Sequence, residues 1–137
     1  FFGGQYIYLW ADLSKIKNTI PPNLEFTRFN TSTFSKKVDE YKTILKDLGS
    51  FAVWGAGAKG STFLNLLDKE RKAVKYVIDI NPVKQNKFIA GTGHPIYNPD
   101  ILLQQPVENI IIMNENYTNE IKKQIAQYDI SVNTLSL

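Results

Sequence analysis

Three glycines and a lysine in the segment VWGAGAKG, residues 53–60, have the types and spacing of a phosphate-binding turn. Gly55, Gly57 and Gly60 satisfy the pattern G-x-G-x-x-G, directly after a short apolar run and at the start of a helical pattern. The first glycine permits a tight turn, the second leaves room for a phosphate beside the backbone, and the third lets the helix pack closely on the strand. Because the amide N–H groups and the helix dipole at such a turn favour negative charge, the pattern predicts a bound anion.

Lys59 lies inside this turn, near the start of the helix, where a positive side chain costs roughly 0.3 kcal/mol. A bound anion would cancel that cost, so the lysine favours a diphosphate at the turn. Two other interpretations stay open. The glycines can serve only a sharp change from strand to helix, and the lysine can be a solvated side chain that points away.

Asp79 ends a second apolar run, VKYVIDI, near where a dinucleotide-binding domain has its ribose-binding carboxylate. Its carboxylate can accept from a ribose or sugar hydroxyl. It is equally consistent with a capping residue for the NPVK turn that follows. Lys84 and Gln85 can reach phosphates from the same turn, although solvated side chains are expected at both positions.

The elements that must position these residues alternate between apolar strands and amphipathic helices. The sequence predicts strands at 51–54, 74–80 and 109–113, an extended segment in HPIYNPD, and a last strand in ISVNTL. It predicts helices in SKKVDEYKTILKDLG, STFLNLLDKE, ILLQQ and TNEIKKQIAQY, with Asn98 as the N-cap of the third and Phe63, Leu64, Leu66 and Leu67 in the core. Because the strands are apolar throughout, they predict a parallel sheet covered on both faces. The predicted fold class is therefore α/β, a three-layer, Rossmann-like, doubly wound domain.

Residues 1–34 differ from this rhythmic part. They contain a β-prone run, QYIYLW (5–10), and an irregular connector in which Pro21 and Pro22 disfavour a regular helix. The predicted division is a connector at 1–34, left from an upstream domain, and a Rossmann-like domain at 35–137. The opening FFGG, without an initiating Met, predicts a piece of a longer protein.

Composition restricts the chemistry. The net charge is +3, and the lysines are scattered among acidic residues, which suits one small anionic molecule at least as well as a nucleic acid. The chain has no cysteine and one histidine, so disulfides, thiol nucleophiles and zinc sites built from Cys or His are excluded. Without a carboxylate near it in sequence, His94 is expected to be an exposed loop residue. No signal peptide or membrane-spanning apolar run is recognisable, which predicts a cytoplasmic protein with no membrane partner.

Three longer stretches, GAGAKGSTFLN (55–65), YVIDINPVKQNKFIAGTGHPIYNPD (76–100) and IIIMNENYTNEI (110–121), resemble the C-terminal domain of the S-adenosylmethionine-dependent sugar C-methyltransferases. These enzymes methylate a keto sugar carried on a nucleoside diphosphate. The positions that match the family motifs are Gly55, Ala56, Lys59, Gly60, Leu64, Asn65, Asp79, Asn81, Pro82, Lys84, Gln85, Gly91, Thr92, Pro95, Ile96, Asn116, Glu120 and Ile121. FGGQ (2–5) also resembles the H-G-G-S segment that closes the family's methyltransferase domain. The chain departs from the pattern at Asn86, Ala90 and Met113–Asn114, where the family has glycine, proline and often tryptophan.

The resemblance implies that this domain binds a nucleotide sugar and works with an upstream methyltransferase domain of the same chain. The implied substrate-binding residues are Gly55, Ala56, Gly57, Lys59, Gly60, Asp79, Asn81, Lys84, Gln85, Gly91, Thr92 and Asn116. The AGTGHP segment is expected to close over the ligand. In the family, S-adenosylmethionine, a structural zinc and the catalytic residues belong to the upstream domains, so this chain alone is expected to be non-catalytic and to hold no cofactor.

Two alternatives from other classes remain open on the sequence. One is an NAD(P)-binding oxidoreductase module in which Asp79 holds the adenosine ribose. The other is a domain that only packs against its neighbour and binds no ligand.

Overall fold

The structure is a computed structural model that describes residues 10–15 and 32–137. It contains six strands, β1 Phe51–Trp54, β2 Val74–Ile78, β3 Lys87–Phe88, β4 Pro95–Tyr97, β5 Asn109–Ile112 and β6 Asn133–Ser136. Its helices are α1 Ser32–Lys46, α2 Ala58–Leu67, α3 Ile101–Gln104 and α4 Thr118–Ala126, with 3-10 turns at Leu13–Lys15 and Glu115–Tyr117. The predicted strand QYIYLW lies outside the described residues except for Trp10, which is exposed and in no strand.

The six strands form one sheet in the order β3–β4–β2–β1–β5–β6. All neighbouring pairs are parallel except β3 and β4, which are antiparallel. The central register pairs Trp54 of β1 with Ile78 of β2 on one side and with Ile112 of β5 on the other. The carboxyl ends of these three strands therefore meet at one edge of the sheet.

Apolar residues cover both faces of the sheet, as the continuous apolar strands predict. On one face Phe51 and Val53 of β1 pack in a cluster with Leu45 of α1 and Leu64 of α2. On the other face Ala52 and Trp54 of β1 belong to a cluster that includes α3 and α4, through residues such as Leu102 and Ile121. Since alternate residues of a strand face opposite sides, this division confirms the three-layer, doubly wound fold.

The helices that follow the neighbouring strands β1 and β5 pack on opposite faces of the sheet. β1 is followed by α2, which packs on the first face, and β5 is followed by α4, which packs on the second. β1 and β5 are adjacent, so a crevice opens between the two connections at the carboxyl edge. Such a switch point is where open α/β sheets bind ligands.

Several predicted boundaries were wrong in detail. α1 begins at Ser32, inside the predicted connector, and β2 ends at Ile78, because the chain turns at Asp79. The N-cap of α3 is Asp100 rather than Asn98, and β3 was not predicted. Leu66 is exposed rather than in the core. In the described part of the chain, no helix combines the length and apolar character needed to cross a membrane.

Candidate functional site

A cavity of about 780 Å³ occupies the crevice at the carboxyl edge of the sheet. One wall is the turn between β1 and α2, with Gly55, Gly57, Lys59 and Gly60. The end of β2 contributes further lining, and the opposite wall is formed by residues 113–117 and by α4. The glycine turn and the segment after β5, distant in sequence, thus face one space.

Two of the three glycines are required by the fold. Gly55 has φ +120°, a conformation that side chains disfavour, and its N–H donates to the Ile78 oxygen at 2.8 Å. A Cβ on Gly60 would lie 1.9 Å from the Gly55 oxygen. α2 can therefore approach the end of β1 only without a side chain at residue 60.

Gly57 differs from both. It is the N-cap of α2, with φ −84° and ψ −169°, angles that any residue can adopt. A Cβ on it would meet no atom of the described residues within 4 Å. No side chain caps the helix, and its first turn contains no acidic residue. The first amide N–H groups of α2, which lack intrahelical acceptors, are therefore left to solvent or a ligand.

Asp79 anchors the glycine turn to the end of β2. Its buried carboxylate accepts from the Ala56 N–H at 2.8 Å and from the Lys84 ammonium at 3.0 Å, both through Oδ2. Oδ1 accepts from the Asn81 N–H at 2.9 Å, which caps the following turn. The Gln85 side chain donates to the Asp79 main-chain oxygen at 2.9 Å. The carboxylate lines the cavity and also orders both loops beside it.

The Lys59 ammonium donates to the main-chain oxygen of Leu137, beyond the end of β6. The side chain is exposed and also lines the cavity. The interpretation of Lys59 as a solvated side chain that points away is therefore wrong in part, because its ammonium has a main-chain partner beside the crevice.

Charges in the crevice are mixed. Lys59 and Lys84 line it together with Asp79, Glu115 and Glu120. Asp79 and Lys84 form an ion pair, so their charges offset each other. The remaining charges are those of Lys59 on one wall and of Glu115 and Glu120 on the other. The main-chain donors of α2 thus matter more for an anion than the net charge of the lining.

Asn116 is the predicted residue on the far wall. Its N–H donates to the Asn114 side chain at 3.1 Å, which caps the 3-10 turn Glu115–Tyr117. That cap places Asn116 and Tyr117 in the lining of the cavity. Tyr117, about half exposed, was not singled out from the sequence, although it lies next to the predicted Asn116 in the segment that follows β5.

The predicted binding residues divide into two groups. Gly55, Gly57, Lys59, Gly60, Asp79, Lys84 and Asn116 line the crevice, whereas Ala56, Asn81, Gln85, Gly91 and Thr92 do not. Ala56, Asn81 and Gln85 bond to Asp79 as described. A substrate contact for this second group stays a prediction.

The loop at 90–93 is filled by the protein's own side chains. A Cβ on Gly91, which has φ +89°, would lie 2.2 Å from the Asn65 side-chain oxygen. The Asn65 amide donates to the oxygens of Ser61 and Ala90, at 2.8 and 3.0 Å. Asn65, the last residue of the stretch GAGAKGSTFLN (55–65), therefore links α2 to this loop.

His94 is fully buried, so the prediction of an exposed loop residue was wrong. Its Nε2 lies 3.0 Å from Asp68 Oδ2 and its Nδ1 lies 2.8 Å from the Thr92 hydroxyl. Burial opposes ionisation of Asp68, but hydrogen bonds from the amides of Val74, Lys72 and Ala73 and from His94 outweigh it. The pKa of Asp68 is therefore below its ordinary value.

Within residues 10–15 and 32–137, no three His, Asp or Glu side chains are grouped as metal ligands. A structural zinc does not fit the residues described for this chain, which also has no cysteine.

Comparison with known families identifies a match over most of the chain. A family model described as the C-methyltransferase C-terminal domain matches residues 24–132. Among curated proteins, none matches this chain. The family match covers most of the chain, including the glycine turn, Asp79 and the far wall of the crevice. The chain therefore belongs to the C-methyltransferase C-terminal domain family.

Proposed function

We propose that this domain anchors a nucleoside-diphosphate sugar in the crevice, as the substrate-binding part of an S-adenosylmethionine-dependent sugar C-methyltransferase. The observation that carries the proposal is the uncapped amino end of α2, which opens on a cavity of about 780 Å³ at the switch point of the sheet. The family membership supports the methyltransferase part.

The diphosphate is assigned to the turn at 57–59. Its oxygens accept from the first amide N–H groups of α2, and the helix dipole favours their charge. Gly57 supports this position, because no atom of residues 10–15 and 32–137 lies within 4 Å of the place where its Cβ would stand. In the proposal, Lys59 leaves the Leu137 oxygen for the phosphate, a stronger acceptor for an ammonium.

The nucleoside and sugar are assigned to the remainder of the crevice. Glu115, Asn116 and Glu120 on the far wall offer acceptors for hydroxyl groups, and Tyr117 offers an aromatic face. These groups suit a polyhydroxyl ligand more than a second anionic group. The mixed charge of the lining therefore matches a molecule in which a charged diphosphate joins an uncharged nucleoside to an uncharged sugar.

In this proposal the chain positions the sugar, and another part of the enzyme supplies the methyl donor and the catalytic base. None of the residues lining the crevice is assigned a step in the transfer itself. The domain contributes by holding the acceptor carbon in place, which lowers the entropic cost of bringing two substrates together.

Calorimetric titration of the chain with uridine and thymidine diphosphates tests the proposal. We expect binding that Lys59→Ala weakens by more than about 1 kcal/mol, as expected for a lost charge-assisted hydrogen bond. Lys122→Ala is the matched control, because Lys122 is an exposed residue of α4 that does not line the crevice. Equal affinities for the two variants would contradict the assignment of the diphosphate.

An NAD(P)-binding module is the second candidate, favoured by the position of Asp79 at the end of β2. Asp79 here already accepts from Ala56, Asn81 and Lys84, contacts that order the loops. Fluorescence titration with NADH separates the two functions. Tight NADH binding without binding of nucleoside diphosphates would favour the oxidoreductase.

A further inference from the structure

A second cavity, of about 440 Å³, lies at the start of β2 and along β3 and β4. It shares no lining residue with the crevice. Arg71, Lys72 and Lys75 line it, and none of the described Asp or Glu residues does. Its lining is therefore formally cationic, whereas that of the crevice is mixed.

The backbone holds Arg71 in an unfavourable conformation. Its φ is +55°, in the left-handed region that glycine usually occupies. The turn is fixed by Asp68, whose main-chain oxygen accepts from the Arg71 N–H at 3.0 Å and whose carboxylate accepts from the Lys72 N–H at 2.7 Å. A non-glycine residue here costs about 1 kcal/mol. Residue 71 is thus an arginine at a position where the backbone conformation alone would favour glycine.

The guanidinium of Arg71 is oriented by one contact, a 2.7 Å hydrogen bond from Nη1 to the Gly93 oxygen. A guanidinium has five N–H donors in a planar fork that suits phosphate and carboxylate. Lys72 forms an ion pair with Glu70, but both side chains are exposed, and such pairs contribute little. Both residues can therefore redirect their charge to a bound anion at low cost.

Apart from His94, which is buried and bonded to Asp68, the rest of the lining is aromatic and apolar. Phe88 of β3 is 67% exposed, and Tyr97 of β4 is half-buried with its ring edge-on to Tyr76. Pro95, the register partner of Phe88 on β4, also lines the cavity. An exposed phenylalanine beside three cationic side chains suits a ligand with both an apolar ring and a negative group.

We propose that this cavity binds a small organic anion. Its phosphate or carboxylate contacts Arg71, Lys72 and Lys75, and its flat apolar part lies against Phe88 and Tyr97. The site is separate from the crevice, and the proposal does not depend on the function assigned there.

The test is an NMR titration of the ¹⁵N-labelled chain with phenyl phosphate and, separately, with benzoate. We expect at least one of them to shift the amides of residues 71–75, 88, 94, 96 and 97 with saturation. Comparison of the two identifies whether phosphate or carboxylate is preferred. Benzyl alcohol, which has the ring without the charge, should bind at least fivefold more weakly, as should inorganic phosphate, which has the charge without the ring.

Arg71→Gly is the informative variant, because glycine accepts the left-handed backbone and the turn should remain folded. We expect it to weaken binding at least fivefold and Phe88→Ser at least threefold, while Lys123→Ala on α4 leaves binding unchanged. The proposal is overturned if neither probe shifts these amides, if the shifts are confined to residues 57–60, or if Arg71→Gly binds as tightly as the unmodified chain.

Discussion

Two glycine-bearing segments of this domain have similar sequences and opposite environments. The turn at 55–60 faces an open crevice, and in the part of the chain that the structure describes no atom lies within 4 Å of the missing Cβ of Gly57. The loop at 90–93 is closed, since Gly91 approaches the Asn65 side chain and Thr92 bonds to the buried His94. Both were predicted from motifs to bind substrate.

The difference shows that a glycine in a motif can serve either the packing of the protein itself or the approach of a ligand. At Gly60 and Gly91 the protein's own atoms leave no room for a Cβ. The obstructing atom is the main-chain oxygen of Gly55 at Gly60 and the side-chain amide oxygen of Asn65 at Gly91. Gly57 has no restrictive φ, and none of the described residues lies close to the position of its missing Cβ. Of these three glycines, only Gly57 leaves the position of its missing side chain open to a ligand.

Gly60→Ala should be the most damaging of these changes. The new Cβ would stand 1.9 Å from the Gly55 oxygen, so α2 must move away from the end of β1. We expect a loss of about 4 kcal/mol in the free energy of unfolding. Urea denaturation measures it, and a loss below about 1 kcal/mol would show that the contact relaxes easily.

Asp68→Asn tests the hydrogen bonds that link Asp68 to His94 and, through it, to the closed loop at 90–93. The buried carboxylate accepts from three amides and contacts His94, so we expect a loss of about 3 kcal/mol at pH 7. Because folding lowers the pKa of Asp68 below its ordinary value of 3.8, this contribution is present above that value and is lost as pH falls through the folded-state pKa. The difference between variant and unmodified chain should therefore shrink below about pH 4. Asp129→Asn, on an exposed turn, is the control, and an equal loss in both variants would argue against the network.

Gly91→Ala should have a smaller effect, about 2 kcal/mol, from the positive φ and the contact with Asn65. Combined with Asn65→Ala, it should cost less than the sum of the two single changes, because the clash is then absent. Strict additivity by urea denaturation would contradict the contact.

The sequence predicted the elements around the crevice well because their signals are local. The apolar runs of β1 and β5 and the glycine turn each depend on adjacent residues, and the structure has them where they were expected. β3 was missed because it is only Lys87–Phe88, an exposed edge pair without an apolar run. His94 was misjudged because its partner Asp68 is near only after β2 and β4 pair in the sheet.

The predicted binding residues show the same limit. A motif identifies which residues recur together, but not whether each contacts the ligand or another part of the motif. Asn65 and Gly91 both belong to recognised segments, and they contact each other. Asp79 serves both loops beside the crevice. Its contact with the Asn81 N–H is the cap of the following turn that the sequence allowed, whereas no sequence spacing indicated its contact with the Ala56 N–H.

The most direct test of the account is the affinity of Gly57→Ala for uridine or thymidine diphosphate, measured beside its stability. Because the backbone and the surrounding space accept a methyl group, we expect an unfolding free energy within about 0.5 kcal/mol of the unmodified chain. The methyl group would stand where the diphosphate is assigned, so affinity should fall by at least about tenfold, or 1.4 kcal/mol. A variant that is equally stable and binds equally tightly would contradict the claim that the open turn receives the phosphates.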